Sequence, residues 1–254
     1  MNQKIGLIQS RGLGDIVIAL PIAGYYRDQG YSVVWPICRE FLSHWQHTVP
    51  WIEWIPVTTD SGSFFFEQPI QALRSVNCTE AIVLYQALTG QEFHRRTFFQ
   101  HTKFDQYKYT AAEVPFHYKW RLPEYITRNA AREQALYDQI IGSDTAPYVI
   151  IHTEGSDHRA DFDRTIIPTN WRQIEITAAT DSVWDWLTIL ERAECIILVD
   201  SVFSNIVDQM NIGTADSRYF IPRSHIGLTP VLGQHWNWIA NTRLSNSANT
   251  IQTG

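Results

Sequence analysis

Cysteine is scarce in this 254-residue chain: Cys38, Cys78 and Cys195 are the only three. They are far apart, odd in number and form no C-x-x-C pair. That spacing excludes a disulfide framework and the usual metal or redox motifs, and it makes a reducing cytoplasm the expected setting. Cys195 falls in the run Cys195-Ile196-Ile197-Leu198-Val199 and reads as a small buried hydrophobe. No apolar run approaches the roughly 20 residues that span a bilayer. The first residues lack the apolar stretch and small-residue cleavage site of a signal peptide, because Gln9, Ser10, Arg11 and Asp15 interrupt them. Charge is sparse as well, at 18% of residues with a net value of −6. A broad nucleic-acid-binding face is thereby disfavoured, since such faces cluster lysine and arginine. There is no G-x-S-x-G elbow, no cysteine in an evidently electropositive setting and no Walker lysine after the first strand. Repeats and low-complexity segments are absent too.

What is present is an ordinary globular hydrophobic content of 44%, enough chain for one large core or two small ones. Ten tryptophans read first as packing residues, with stacking on sugar rings or bases as the alternative. Apolar runs predict strands at Lys4 to Ile8, Ser32 to Ile37, Ile52 to Val57 and Ala81 to Tyr85, with a helix from Asp15 to Gln29. From Phe99 to Pro123 the chain is aromatic and polar, with Lys103, Lys108, Lys119 and Arg121 interleaved as a candidate local basic groove. A helix follows over Arg128 to Ile141, stopped by Gly142. The alternation then restarts. Strands are expected at Tyr148 to His152, Ile174 to Ile176, Cys195 to Val199 and Arg218 to Ile221. Helices are expected from Asp181 or Ser182 to Ala193 and from Ser201 to Met210. Strands separated by helix-length segments indicate βαβ units and parallel sheets. The predicted organisation is an α/β protein with a first domain over 1–125, a linker over 126–146, a second domain over 147–227 and a segment 228–254 folding back on the first.

Four features follow strand ends, where parallel sheets bind ligands. Gly12-Leu13-Gly14-Asp15 turns from the first strand into a helix, where glycine permits close backbone approach and the helix start offers unpaired N–H groups. As a dinucleotide fingerprint it has Val17 where a third glycine or alanine is required, and no acid ends the second strand. Arg39 could meet a 2′-phosphate instead, which keeps an NADP reading open. The loop His152-Thr153-Glu154-Gly155-Ser156-Asp157-His158-Arg159, continuing to Asp161, Asp163 and Arg164, has the hydroxyls and arginines a diphosphate needs. A solvated loop or a metal site are its alternatives, although the spacing matches no specific zinc or calcium loop. Asp200-Ser201, leading to Asn205, suits sugar hydroxyls and phosphate oxygens or, equally, a helix N-cap. Tyr85-Gln86-Ala87 is the fourth feature.

Together these residues resemble the heptosyltransferase-like, family 9 glycosyltransferases, whose GT-B fold has two facing Rossmann-like domains. Ile5-Gly6-Leu7-Ile8 through Gly12-Leu13-Gly14-Asp15-Ile16-Val17 to Leu20-Pro21 is similar to that family's opening strand, turn, acid and helix. Tyr148 to Ser156 is similar to the opening of its donor domain, and Ala193 to Ile212 to its Asp-Ser segment. The resemblance implies that Asp15 is the general base and that Asp200, Ser201 and the loop after His152 hold a nucleotide-sugar donor, with no metal and no other cofactor. Read from the residues themselves, Thr153, Ser156, Arg159, Arg164 and Asn205 are expected to join the donor side, and Gly12, Gly14 and Gln86 the acceptor side. The acceptor would be a glycan, a small molecule, a protein or a nucleic-acid base. Where the family pattern has glycine and histidine after Asp-Ser, this chain has Val202 and Asn205. That departure motivates a rival reading, a catalytically silent binding or scaffold protein of the same fold; an NADP-dependent oxidoreductase is the third.

Overall fold

A computed structural model of the chain describes residues 3–60, 62–85, 103–155, 159–223 and 229–243. The chain divides into two compact units, Met1–Asn129 and Ala130–Gly254.

The first unit is built on four parallel strands, β1 (Lys4–Ile8), β2 (Ser32–Cys38), β3 (Glu53–Val57) and β4 (Glu80–Val83), in the order β3-β2-β1-β4. Ile5 pairs with Val33 on one side of β1 and with Glu80 on the other. The chain therefore winds one way through β2 and β3, then returns to the opposite flank of β1. The gap between the carboxyl ends of β1 and β4 is a topological switch point, where ligands of open α/β sheets bind. β4 starts one residue before the predicted strand and ends at Val83 instead of Tyr85. Leu84 and Tyr85 are thereby released to the turn.

Helix α1 (Leu13–Asp28) carries Ile16, Val17, Ile18, Leu20 and Ile22, each at most 1% exposed, and contains Pro21. An interior proline costs a helix about 3 kcal/mol. Burying each large aliphatic side chain contributes roughly 1.5–3 kcal/mol, so the burial outweighs it. α1 packs against α4 (Phe104–Ala111) and the 3-10 segment Phe116–Glu124; the short α2 (Leu42–Trp45) and α3 (Glu67–Ser75) complete the unit. At Gly24 any Cβ would lie 2.4 Å from the ring of Tyr125, so only glycine lets that ring seat on the helix. The Tyr125 hydroxyl then donates to Asp28 Oδ2 at 2.9 Å. Neither α4 nor the 3-10 segment stands out from the aromatic and polar composition of this stretch.

The second unit holds five parallel strands: β5 (Tyr148–His152), β6 (Arg172–Glu175), β7 (Cys195–Val199), β8 (Arg218–Ile221) and β9 (Asn237–Trp238), ordered β6-β5-β7-β8-β9. β7 is buried along its whole length and β5 all but its last residue, the pattern of central strands covered on both faces. Helix α5 (Ala130–Ile140) precedes the sheet. The predicted helix after Ser182 is a 3-10 turn, Val183–Trp186, continuing into α6 (Leu187–Glu191), and the Ser182 side chain accepts from the Trp184 N–H. α7 (Val202–Met210) ends at Asn211, which takes the left-handed conformation at φ 54°. Of the segment after 228, Asn237–Trp238 extends this second sheet beside β8. Asp208 of α7 fixes that placement. It accepts from the N–H groups of Gly233 and Gln234 and from the Trp236 indole at 3.0–3.1 Å. The switch point of this sheet lies between β5 and β7. Among the described residues no helix is long and apolar enough to cross a membrane.

Candidate functional site

In the first unit the segment after β1 runs along the switch point. Gly12, at φ 86°, precedes α1 without a side-chain cap, and the Ile16 N–H reaches its carbonyl at 2.9 Å. Asp15 is thus in the first turn of α1, with its carboxylate 38% exposed. Its Oδ1 forms an ion pair at 3.1 Å with Nζ of Lys108, a side chain only 5% exposed. The same ammonium donates to Gln9 Oε1 at 2.6 Å and to the Leu84 carbonyl at 3.1 Å. An ammonium can be held this deep because a carboxylate and two oxygen acceptors meet it. Asp15 Oδ2 points the other way, 2.7 Å from where a Cβ on residue 12 would stand. The glycine at position 12 therefore makes room for the acid itself.

Tyr85 braces this turn. Its hydroxyl accepts from the Arg11 N–H at 2.9 Å and lies 3.1 Å from Ser10 Oγ, and burial pushes the phenol up to about 12. Ser10 Oγ also donates to the Phe64 carbonyl at 2.5 Å. Phe65, 41% exposed, sets its ring edge-on to Tyr85 with centroids 5.2 Å apart.

The second switch point is bridged by neutral groups. His152 ends β5, and its Nδ1 lies 3.1 Å from Oγ of Ser201, which precedes α7. Burial pulls the imidazole down to about 4, and the ring packs edge-on against Phe203 at 5.0 Å. Thr153 and Asp200, at the ends of the two strands, are 5% and 7% exposed. Ser204 Oγ accepts from the Ser201 N–H at 2.9 Å, and the Asn205 amide donates to the Ser201 carbonyl at 2.8 Å. Both side chains thus serve the start of the helix.

Thr153, Asp200, Ser201 and Asn205 accordingly gather at one switch point, and Gly12, Gly14 and Asp15 at the other. Arg159 is 60% exposed on a bridge to Glu154, with Nε 3.8 Å from its carboxylate. Arg164 is drawn instead to β6, donating to Gln173 at 2.9 Å and Glu175 at 2.6 Å. Gln86 and Ser156 lie outside the described residues. Among the described residues no three His, Cys, Asp or Glu side chains converge as a metal site.

Of the four cations Lys103, Lys108, Lys119 and Arg121 read as a basic groove, three are ion-paired within the first unit. Lys108 meets Asp15, Lys119 meets Asp105 at 2.8 Å with both side chains buried, and Arg121 meets Glu124. Two residues at these sites have no role there that the sequence alone indicates. Lys108 is 99 residues from Gln9, so no local pattern joins them; a lysine between Tyr107 and Tyr109 was the available hint. His152 reads in the sequence only as one member of its loop.

No protein-family model matches the sequence, and no curated protein does. Solved structures do. The chain's mixed α/β fold with two parallel sheets is similar to that of several glycosyltransferases. It is similar over 98% of its length to 92% of the family 9 glycosyl transferase from Veillonella parvula, with a TM-score of 0.61 at 10% identity. Against Escherichia coli heptosyltransferase WaaC with ADP the TM-score is 0.52 at 12% identity, covering 98% of this chain and 99% of that one. The iron-containing dodecameric glycosyltransferase TibC of enterotoxigenic E. coli gives 0.54 at 12% identity, over 92% of this chain and 62% of its own. At these identities the likeness is one of fold.

Proposed function

We propose that this chain is a glycosyltransferase that moves a sugar from a nucleotide-sugar donor to an acceptor hydroxyl, with Asp15 as general base. The observation that carries the reading is the partly exposed Asp15 carboxylate, held on Lys108 at the switch point of a sheet in a fold similar to that of a family 9 enzyme. In this reading the units are the acceptor and donor domains of a GT-B arrangement. The acceptor hydroxyl gives its proton to Asp15 as its oxygen bonds to the anomeric carbon. The bond from that carbon to the diphosphate breaks, and its electron pair leaves on the nucleoside diphosphate. Thr153, Ser201 and the start of α7 receive the diphosphate, with Arg159 supplying a guanidinium. Asp200 receives ribose or sugar hydroxyls. Such charge stabilisation by arginine and helix N–H groups requires no metal. Three buried free cysteines suit a reducing compartment.

The test is thermal stabilisation by ADP, ADP-heptose, other nucleotide-sugars and NADPH, followed by donor turnover. The expected result is stabilisation by a nucleoside diphosphate that Asp200→Ala removes, and turnover that Asp15→Asn abolishes while binding persists. EDTA should leave turnover unchanged. Stabilisation by NADPH alone overturns the reading; donor binding without turnover under any acceptor replaces it with the silent binding protein.

A further inference from the structure

Lys108 is the one described residue that ties together every segment of the first switch point. It rises from the middle of α4, and its ammonium reaches the end of β1 through Gln9, the end of β4 through Leu84 and the start of α1 through Asp15. We infer that Lys108 is the positioning residue of Asp15, holding Oδ1 so that Oδ2 alone faces the incoming hydroxyl. This rests on the reading of Asp15 as the base and adds to it which oxygen acts and what aims it.

The geometry separates the two oxygens. Oδ1 lies 3.1 Å from the ammonium, whereas Oδ2 has no hydrogen-bond partner among the described residues and points over Gly12. A carboxylate at the start of a helix, one-third exposed, is otherwise able to exchange rotamers and present either oxygen. The ammonium removes that freedom because moving Oδ1 away leaves a buried cation facing two neutral acceptors. Gly12 completes the arrangement, since a side chain there would occupy the space of Oδ2. Lys108 is too enclosed to touch an acceptor itself, so its effect runs through Asp15.

Two measurements decide this. The first is made on the wild-type protein: three-bond couplings to Asp15 Cγ report its χ1 distribution. A single rotamer is expected, becoming averaged in Lys108→Met, with the backbone amide spectrum showing that the fold persists. Averaged couplings in the wild type, or unchanged ones in the variant, overturn the inference. Should Lys108→Met fail to fold, Gln9→Leu loosens the same ammonium while keeping both charges, and partial averaging is expected there. The second is a double-mutant cycle on donor turnover. Lys108→Met is expected to lower kcat by ~100-fold, the scale of a misplaced reacting group, without changing nucleoside diphosphate affinity. In an Asp15→Asn background it should cost nothing further, because both changes remove one function. An equal loss in both backgrounds shows a general structural role and overturns the inference. If Asp15→Asn itself retains full turnover, the base assignment fails, while the couplings still decide whether Lys108 holds the carboxylate.

Discussion

The two switch points solve the same topological problem with opposite chemistry. In the first unit the gap between β1 and β4 is closed by a buried ammonium and a carboxylate. In the second, the gap between β5 and β7 is crossed by a neutral imidazole and a hydroxyl. The helix starts differ in step. α1 begins at a glycine without a side-chain cap, which leaves Asp15 outside the capping pattern. α7 begins with Ser204 and Asn205 bonded back to Ser201. Under the proposed function, the first turn holds its acid against a counter-charge, whereas the second offers a diphosphate neutral donors and a helix start, with the Asp200 carboxylate beside them left for hydroxyl groups.

The largest effect that sharpens this contrast is on rate. Asp15→Asn should lower kcat for donor turnover by ~10²–10⁴-fold, the usual contribution of a positioned base, leaving nucleoside diphosphate affinity unchanged in a calorimetric titration. A loss of affinity with kcat intact would reverse the roles given to the two turns.

Next comes the pH dependence of the neutral bridge. The folded value of His152 is about 4, below the usual 6.5. Between those values the unfolded chain binds more protons, so this histidine makes stability rise with pH across the window. Its contribution is complete above about pH 6.5 and is lost as pH falls toward about 4, amounting to roughly 1–3 kcal/mol. Urea unfolding of the wild type against His152→Gln at several pH values should show this slope only in the wild type. A slope shared by both proteins would mean that the imidazole is not neutral by virtue of its burial.

A smaller change tests the room reserved for the base. Gly12→Ala introduces a Cβ at positive φ that meets Asp15 Oδ2. About 1–2 kcal/mol of stability should be lost in chemical denaturation, together with turnover. Retained turnover would show that Oδ2 can act from elsewhere. The smallest expected stability change is Arg159→Ala, within about 0.5 kcal/mol, because its ion pair with Glu154 is long and exposed. Its effect should appear instead as weaker stabilisation by ADP. An equal response to ADP would remove Arg159 from the donor side.

Much of the scaffold was legible because its signals are local. β5 and β7 coincide with the apolar runs Tyr148 to His152 and Cys195 to Val199, and α1 with the run beginning at Asp15. Gly12 and Asp15 were legible as a turn and an acid for the same reason. What escaped depends on partners distant in sequence. α4 is read poorly because its inward face carries Asp105, Tyr107, Lys108 and Tyr109, which look like surface residues until Lys119 and Asp15 are placed beside them. Asn205 illustrates the converse. Its residue type suits a ligand and a helix start alike, and its bond to the Ser201 carbonyl appears only once the helix is placed.

The distance along the chain between Gln9 and Lys108, 99 residues, also sets an order of events. During synthesis β1 and α1 emerge first, carrying the acid, while the lysine that orients it follows only after the whole first sheet. Under the proposed function, a chain released or truncated before α4 would therefore carry the acid and the four strands without the residue that aims it, and competence for chemistry would have to wait for that helix.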